Sequence, residues 1–292
     1  MNFSSTLFSR SKLRKASTET DPLARIMQFA LGESPREAEI LASQWRHYRK
    51  VVRGFWEESA RVSLKESIRR ADNININDSS LLVRFINGQK LGKEGLVLLT
   101  IHMGDYLHAI LKILMMASHR QVIVLRRKAW NEEEYKAFDK LNQIGHELLV
   151  VRQNEGAAKP IIRGLRKGAI VVMLYDLPYQ WGATTPVSLF NQKLNWVMGP
   201  IQLAMLGRSC VLPFFTFEQE NHWYSELHPV RDYRCVREHA VLGEEVQSLA
   251  QLAEGTIKRH VTQWNHWHLL PDMLAHPELV QETTIAQVTH HG

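Results

Sequence analysis

The chain has 292 residues, 45% of them hydrophobic, which is enough for one large globular domain with a real core and excludes a disordered polymer. Thirty-six Lys and Arg against 30 Asp and Glu give a formal charge of +6, suited to an anionic partner such as a membrane surface, a nucleic acid or an acidic carrier protein. The two cysteines, Cys210 and Cys235, are too far apart to indicate a disulfide framework or a thiolate metal site, and no run approaches the roughly 18 apolar residues that a membrane span needs.

Residues 1–33 read as a basic tail. Phe3, Leu7, Phe8 and Leu13 alternate with Arg10, Lys12, Arg14 and Lys15, a pattern open to two readings: contact with an anionic bilayer, or a solvated arm. The charge between Ser9 and Lys15 precedes any signal-peptide core. Ser34-Pro35-Arg36-Glu37 predicts a helix start, with Ser as N-cap, Pro in the first turn and Glu closing a capping box. Leu41, Trp45, Tyr48, Val52 and Phe55 then mark a core-facing stripe, and Arg46, Arg49, Lys50 and Arg53 a basic face.

Beyond the polar interruption from Asp72 to Ser80, apolar runs alternate with helical patterns. Strands are predicted at Leu96 to Ile101, Val122 to Leu125, Leu148 to Val151, Ile170 to Leu174 and Cys210 to Phe217. Helices are predicted near Tyr106 to Ala117, Glu132 to Gln143, Ala157 to Arg166 and Pro200 to Leu206. Trp223 to Leu227 reads as an edge strand and Glu244 to Trp264 as a final helix. The expected fold is α/β, a mixed and largely parallel sheet covered by helices. Residues 34–292 form a single domain, of which 34–90 is a helical lead-in.

The run Leu96 to Ile101 stops abruptly at His102-Met103-Gly104-Asp105 before helix-like sequence resumes. Gly104 permits a tight strand-to-helix turn, and His102 falls at a strand's C-terminal end, where open α/β sheets place their ligands. A buried histidine that merely hydrogen-bonds near a loop is the alternative. Other short blocks fall at strand ends in turn: Arg126-Arg127, Tyr175-Asp176-Leu177-Pro178, and the run from Val187 to Gly199-Pro200, which contains Phe190.

The order and spacing of these blocks resemble the lysophospholipid acyltransferase superfamily, and more closely its lipid A late acyltransferase branch, over roughly residues 30 to 270. Trp264-Asn265-His266-Trp267 is similar to that branch's tryptophan-rich C-terminal segment. The resemblance implies transfer of an acyl group from a carrier-protein thioester to a hydroxyl of lipid A or a related anionic glycolipid. It also implies a peripheral protein on the cytoplasmic face of the inner membrane. The donor's phosphopantetheine arm belongs to the carrier, with no cofactor held tightly by the chain itself. His102 is then the general base, with the Gly104 turn and Arg126 or Arg127 stabilising the oxyanion. Phe190 and Lys193 fall at the acceptor, and the arginines suit phosphates as well.

One departure is chemical. The branch places an acidic residue five positions after the histidine, and Leu107 stands there; leucine neither accepts the imidazole N–H nor stabilises its protonated form. Asp105 is the first candidate to replace it and Asp176 the second; a degenerate, non-catalytic relative acting as a membrane- or carrier-binding scaffold is the rival. The altered acid and the missing N-terminal membrane helix are similar to an offshoot of the branch, the AlmG-type glycyltransferases of Vibrio. These move an amino acid, which favours an aminoacyl donor over a fatty acyl one. Met103, Tyr106, Trp181, Phe190 and Trp196 either line an acyl tunnel or fill the core. Fourteen histidines contain no His-Glu-x-x-His and no Cys/His pairing, so no metal is expected. Nucleic acid is not expected either, as no stacking motif accompanies the charge.

Overall fold

The computed structural model describes residues 21–77, 94–117, 120–126, 132–152, 156–178, 182–236 and 241–275. The hydrophobic residues interleaved with the first basic cluster, together with Arg127, Lys128 and Trp181, lie outside the described residues. Two helices open the fold, α1 (Pro22–Leu31) and α2 (Pro35–Arg61). The first is a correction to the reading of residues 1–33 as a tail. Asp21 caps it by accepting the Leu23 N–H, Pro22 suits its first turn, and Leu23, Ala24, Met27 and Ala30 are buried in the core. At Ser34 the capping box forms as the sequence predicts, with Ser34 Oγ accepting the Glu37 N–H and Glu37 accepting the Ser34 N–H.

Helix α3 (Leu64–Asp72) leads into β1 (Ile74–Ile76), followed by β2 (Leu96–Thr100), α4 (Tyr106–Met115), β3 (Gln121–Arg126), α5 (Glu132–Gln143), β4 (Glu147–Arg152), α6 (Ala158–Arg166) and β5 (Ile170–Leu174). A hairpin of β6 (Thr184–Leu189) and β7 (Gln192–Val197) precedes α7 (Gly199–Gly207), β8 (Cys210–Gln219), β9 (His222–Leu227), β10 (Arg231–Asp232), α8 (Leu242–Arg259) and the short α9 (Leu270–Met273). The strand order is β1-β9-β8-β2-β5-β3-β4. β8, β2, β5, β3 and β4 run parallel; β9 is antiparallel to β8 and parallel to β1, while β10 pairs antiparallel with β8. The expected edge strand at Trp223 to Leu227 is therefore internal, because Ile74–Ile76, inside the supposed polar interruption, pairs along its outer side.

Alternation along β2 explains the two layers. Val97, Leu99 and Ile101 face a core shared with α1, α2, α8 and the hairpin, whereas Leu96 and Leu98 face the one under α4. A strand buried on both faces favours apolar residues throughout, which is why Leu96–Leu99 shows no polar alternation and Thr100 carries the strand's one hydroxyl. The chain crosses from β2 to β3 and returns through β5 between them, so the C-terminal ends of β2, β5 and β3 lie side by side. The register puts Thr100 opposite Leu174 and Val172 opposite Val124, which brings Arg126 level with both ends.

Candidate active site

Directly beyond these strand ends, His102 and Asp176 meet. Asp176 Oδ1 accepts a hydrogen bond from His102 Nδ1 at 2.8 Å, and Oδ2 accepts the His102 backbone N–H at 2.8 Å and Trp264 Nε1–H at 2.9 Å. Asp176 is fully buried, while His102 keeps 20% of its side chain exposed. Burial pushes the Asp176 carboxyl up, yet the imidazoles of His102 and His266 and the bonds from His102 and Trp264 outweigh it and hold the group below the usual carboxylate range. An ionised carboxylate only accepts, so Nδ1 of His102 carries the proton and Nε2 offers a lone pair. None of the described residues bonds that Nε2.

The turn between β2 and α4 is built by backbone geometry. Gly104 adopts φ +59°, and a Cβ there would collide with the Thr216 carbonyl on β8, so the position admits only glycine. The C-terminal segment then locks the turn from the other side. Asn265 N–H donates to the His102 carbonyl at 2.9 Å, Met103 and Trp264 form an antiparallel bridge, and Trp45 Nε1–H on α2 donates to the Trp264 carbonyl at 2.6 Å. Helix α8, expected to run to Trp264 as the final helix, accordingly stops at Arg259, since a residue bridged to Met103 must be extended.

His266, which has no separate role in the sequence reading, completes the cluster. Its Nδ1–H donates to the Asp176 backbone carbonyl at 2.7 Å, and its ring lies against that of His102 with centroids 4.0 Å apart and planes inclined by 31°. Burial, then the neighbouring His102, pulls its pKa down to about 3, so it is neutral at physiological pH. The only hint in the sequence was its place inside the tryptophan-rich block. One nitrogen from each of these histidines and an oxygen of Asp176 lie within 4.8 Å of one another, a donor set compatible with zinc that motif spacing had not revealed. The nitrogens that face Asp176 already donate to its oxygens, however, so a cation between them would have to replace both bonds.

The remaining expected residues divide. Asp105 does not orient His102: it is the N-cap of α4, and its two oxygens take Nδ1 of His108 at 2.9 and 2.8 Å. Leu107 packs among the apolar side chains under α4. Phe190 is 1% exposed and turned inward, its ring 5.3 Å from Trp267 and 5.9 Å from Trp264, so its side chain is core and does not face the acceptor. Phe190 and Asn191, at φ 53° and 58°, form the tight turn of the β6–β7 hairpin. Lys193 stands exposed on β7, and no hydrogen bond or ion pair joins it to His102 or Asp176. Met103 and Trp196 have no exposed surface, and Tyr106 is 9% exposed with its ring edge-on to His102 at 5.6 Å.

Residues 23–270 match the family model described as bacterial lipid A biosynthesis acyltransferase. No curated protein matches the chain. Among solved structures, the chain is similar to the 1-acyl-sn-glycerophosphate (LPA) acyltransferase PlsC of Thermotoga maritima, at 12% identity and TM-score 0.42, over 77% of this chain and 96% of that one.

Proposed function

Because the chain belongs to the bacterial lipid A biosynthesis acyltransferase family, we propose that it transfers an aminoacyl group, glycyl or similar, from a carrier-protein thioester to lipid A, with His102 as general base and Asp176 as its orienting acid. The observation that carries this reading is the His102–Asp176 pair: a carboxylate on Nδ1 and an unclaimed Nε2 at the open end of a parallel sheet. It supplies from another strand what Leu107 lacks, so the loss of the acid at that position no longer argues for a scaffold.

In the proposed step, Nε2 takes the proton of the lipid hydroxyl as its oxygen attacks the thioester carbonyl carbon. The C–O bond forms and the carbonyl electrons move to oxygen; the N–H groups of His102 and Met103 in the turn are already bonded, to Asp176 and to the Ile101 carbonyl, and do not meet that charge. Collapse breaks the C–S bond, and His102 returns its proton to the departing thiolate of the phosphopantetheine arm. A positioned base contributes about 10²- to 10⁴-fold.

A short donor is favoured by the packing beside the pair. Met103, Phe190, Trp196 and Trp264 are 0 to 1% exposed and pack as core instead of lining an open acyl slot. The net charge of +6 and the absence, among the described residues, of any helix long and apolar enough to cross a membrane fit peripheral attachment to an anionic surface, the inner membrane's cytoplasmic face in this reading.

Mass spectrometry of lipid A from cells with and without the gene tests the proposal. A mass gain of amino-acid size that vanishes in His102→Ala, while the variant stays folded, is expected. A gain of fatty-acyl size refutes the aminoacyl donor, and full product from His102→Ala refutes the base.

A further inference from the structure

We infer that His266 reads the transferred group: its Nε2 accepts a hydrogen bond from the α-amino N–H of an aminoacyl thioester, which makes the site select aminoacyl over plain acyl donors. The inference rests on the aminoacyl reading above and adds the residue that enforces it.

The argument begins with what His266 cannot do. Its Nδ1–H is committed to the Asp176 carbonyl at 2.7 Å, so that nitrogen has no proton to offer a substrate oxyanion. Buried against His102, the ring stays neutral and is neither a general acid nor a rival for the proton that His102 collects. What remains is the lone pair on Nε2. None of the described residues satisfies it, and 12% of the side chain is exposed. A neutral acceptor in a catalytic cleft wants an N–H or O–H donor.

The placement of that acceptor is the second observation. Both rings hang on Asp176 by Nδ1, one from its carboxylate and one from its backbone carbonyl, and they lie against each other at a tilt of 31° with centroids 4.0 Å apart. In each ring Nε2 lies across from the Nδ1 that meets Asp176, so the two Nε2 atoms are left as neighbouring acceptors on the far side of the pair. In an attack complex the hydroxyl oxygen stands about 3–3.5 Å from the carbonyl carbon, and an α-amino nitrogen lies two bonds, ~2.5 Å, from the same carbon. With attack from above the carbonyl plane, the hydroxyl and the amine are about 4 Å apart, which matches the ring spacing. The hydroxyl then faces His102 and the amine faces His266. A fatty acyl donor would bring a methylene to Nε2, leaving an acceptor desolvated and unpaired.

Glycyl- and propionyl-pantetheine thioesters differ only by NH₂ in place of CH₃, and both can be assayed with the full-length protein and lipid A dispersed in detergent. The wild type is expected to prefer the glycyl donor in kcat/KM by about 10- to 100-fold. His266→Phe keeps an aromatic ring but no acceptor; its glycyl-to-propionyl ratio should fall to about one whatever happens to the absolute rates, and His266→Gln, whose amide oxygen accepts, should restore part of the preference. The ratio, which a purely structural role would not move, is the decisive readout. An unchanged preference in an active His266→Phe overturns the inference and leaves the aminoacyl reading standing, as do equal losses on both donors in both variants. A wild type that favours propionyl overturns both together.

Discussion

Replacing Asp176 with asparagine preserves shape and removes the charge, and the hydrogen-bond pattern dictates how the variant must fail. Oδ2 accepts two backbone or indole N–H groups, from His102 and Trp264, at 2.8 and 2.9 Å, so the asparagine carbonyl takes that place and its NH₂ falls where Oδ1 met His102 Nδ1 at 2.8 Å. Two donors then face each other. The imidazole relieves the conflict by moving its proton to Nε2, and the lone pair that should receive the substrate proton is gone. The expected loss in kcat is about 10³- to 10⁴-fold, or roughly 4 to 5.5 kcal/mol in the barrier, with KM for the donor changed only a few-fold. Thiol release from the thioester donor measures the rate, and thermal unfolding confirms that the variant is folded. A folded Asp176→Asn enzyme within tenfold of wild type would refute the assignment.

Three further outcomes follow from the same geometry. Asp105→Ala strips His108 of a buried partner and α4 of its cap, so it should lower stability by about 1–3 kcal/mol in urea unfolding while leaving turnover per folded molecule within a few-fold; a selective collapse of kcat would return the orienting role to Asp105. Gly104→Ala meets both a left-handed backbone and the Thr216 carbonyl, and should cost at least about 1–3 kcal/mol; a loss below about 0.5 kcal/mol, ordinary for a surface change, would contradict the turn geometry. Acid should destabilise the protein early. The unfolded His266 takes up a proton near pH ~6.5 and the folded one only near its depressed value of about 3, so stability falls as pH drops through that window, by at most about 1.4 kcal/mol per pH unit for this residue. Asp176 has a depressed folded pKa, so its contribution is present above about pH 4 and is lost only as the pH falls below that. Urea midpoints at pH 7, 6 and 5 should show His266→Phe losing less stability per pH unit than wild type, and equal slopes would contradict a neutral buried His266.

Secondary structure and the chemistry at strand ends were legible because they are local properties. Ile170–Leu174 and Glu132–Gln143 form where the apolar run and the helical period place them, and the capping box at Ser34 closes within four residues of chain. Shorter elements escaped. Ile74–Ile76 becomes a strand only because β9 offers it a partner, and the Phe190-Asn191 turn depends on two residues tolerating positive φ.

The sequence by itself determined that a histidine follows a fully buried strand at a glycine turn, and that the acid expected five residues on is a leucine. Which carboxylate serves that histidine was a tertiary decision. Asp105 stands three residues from both His102 and His108, but helical geometry begins at Tyr106, so only His108 is carried back over the cap. Asp176 reaches His102 across 74 residues because β2 and β5 are hydrogen-bonded neighbours, and His266 arrives another 90 residues along because its segment bridges to Met103. Spacing along a chain predicts contacts only while one regular element persists; past its end, strand order and packing choose the partners.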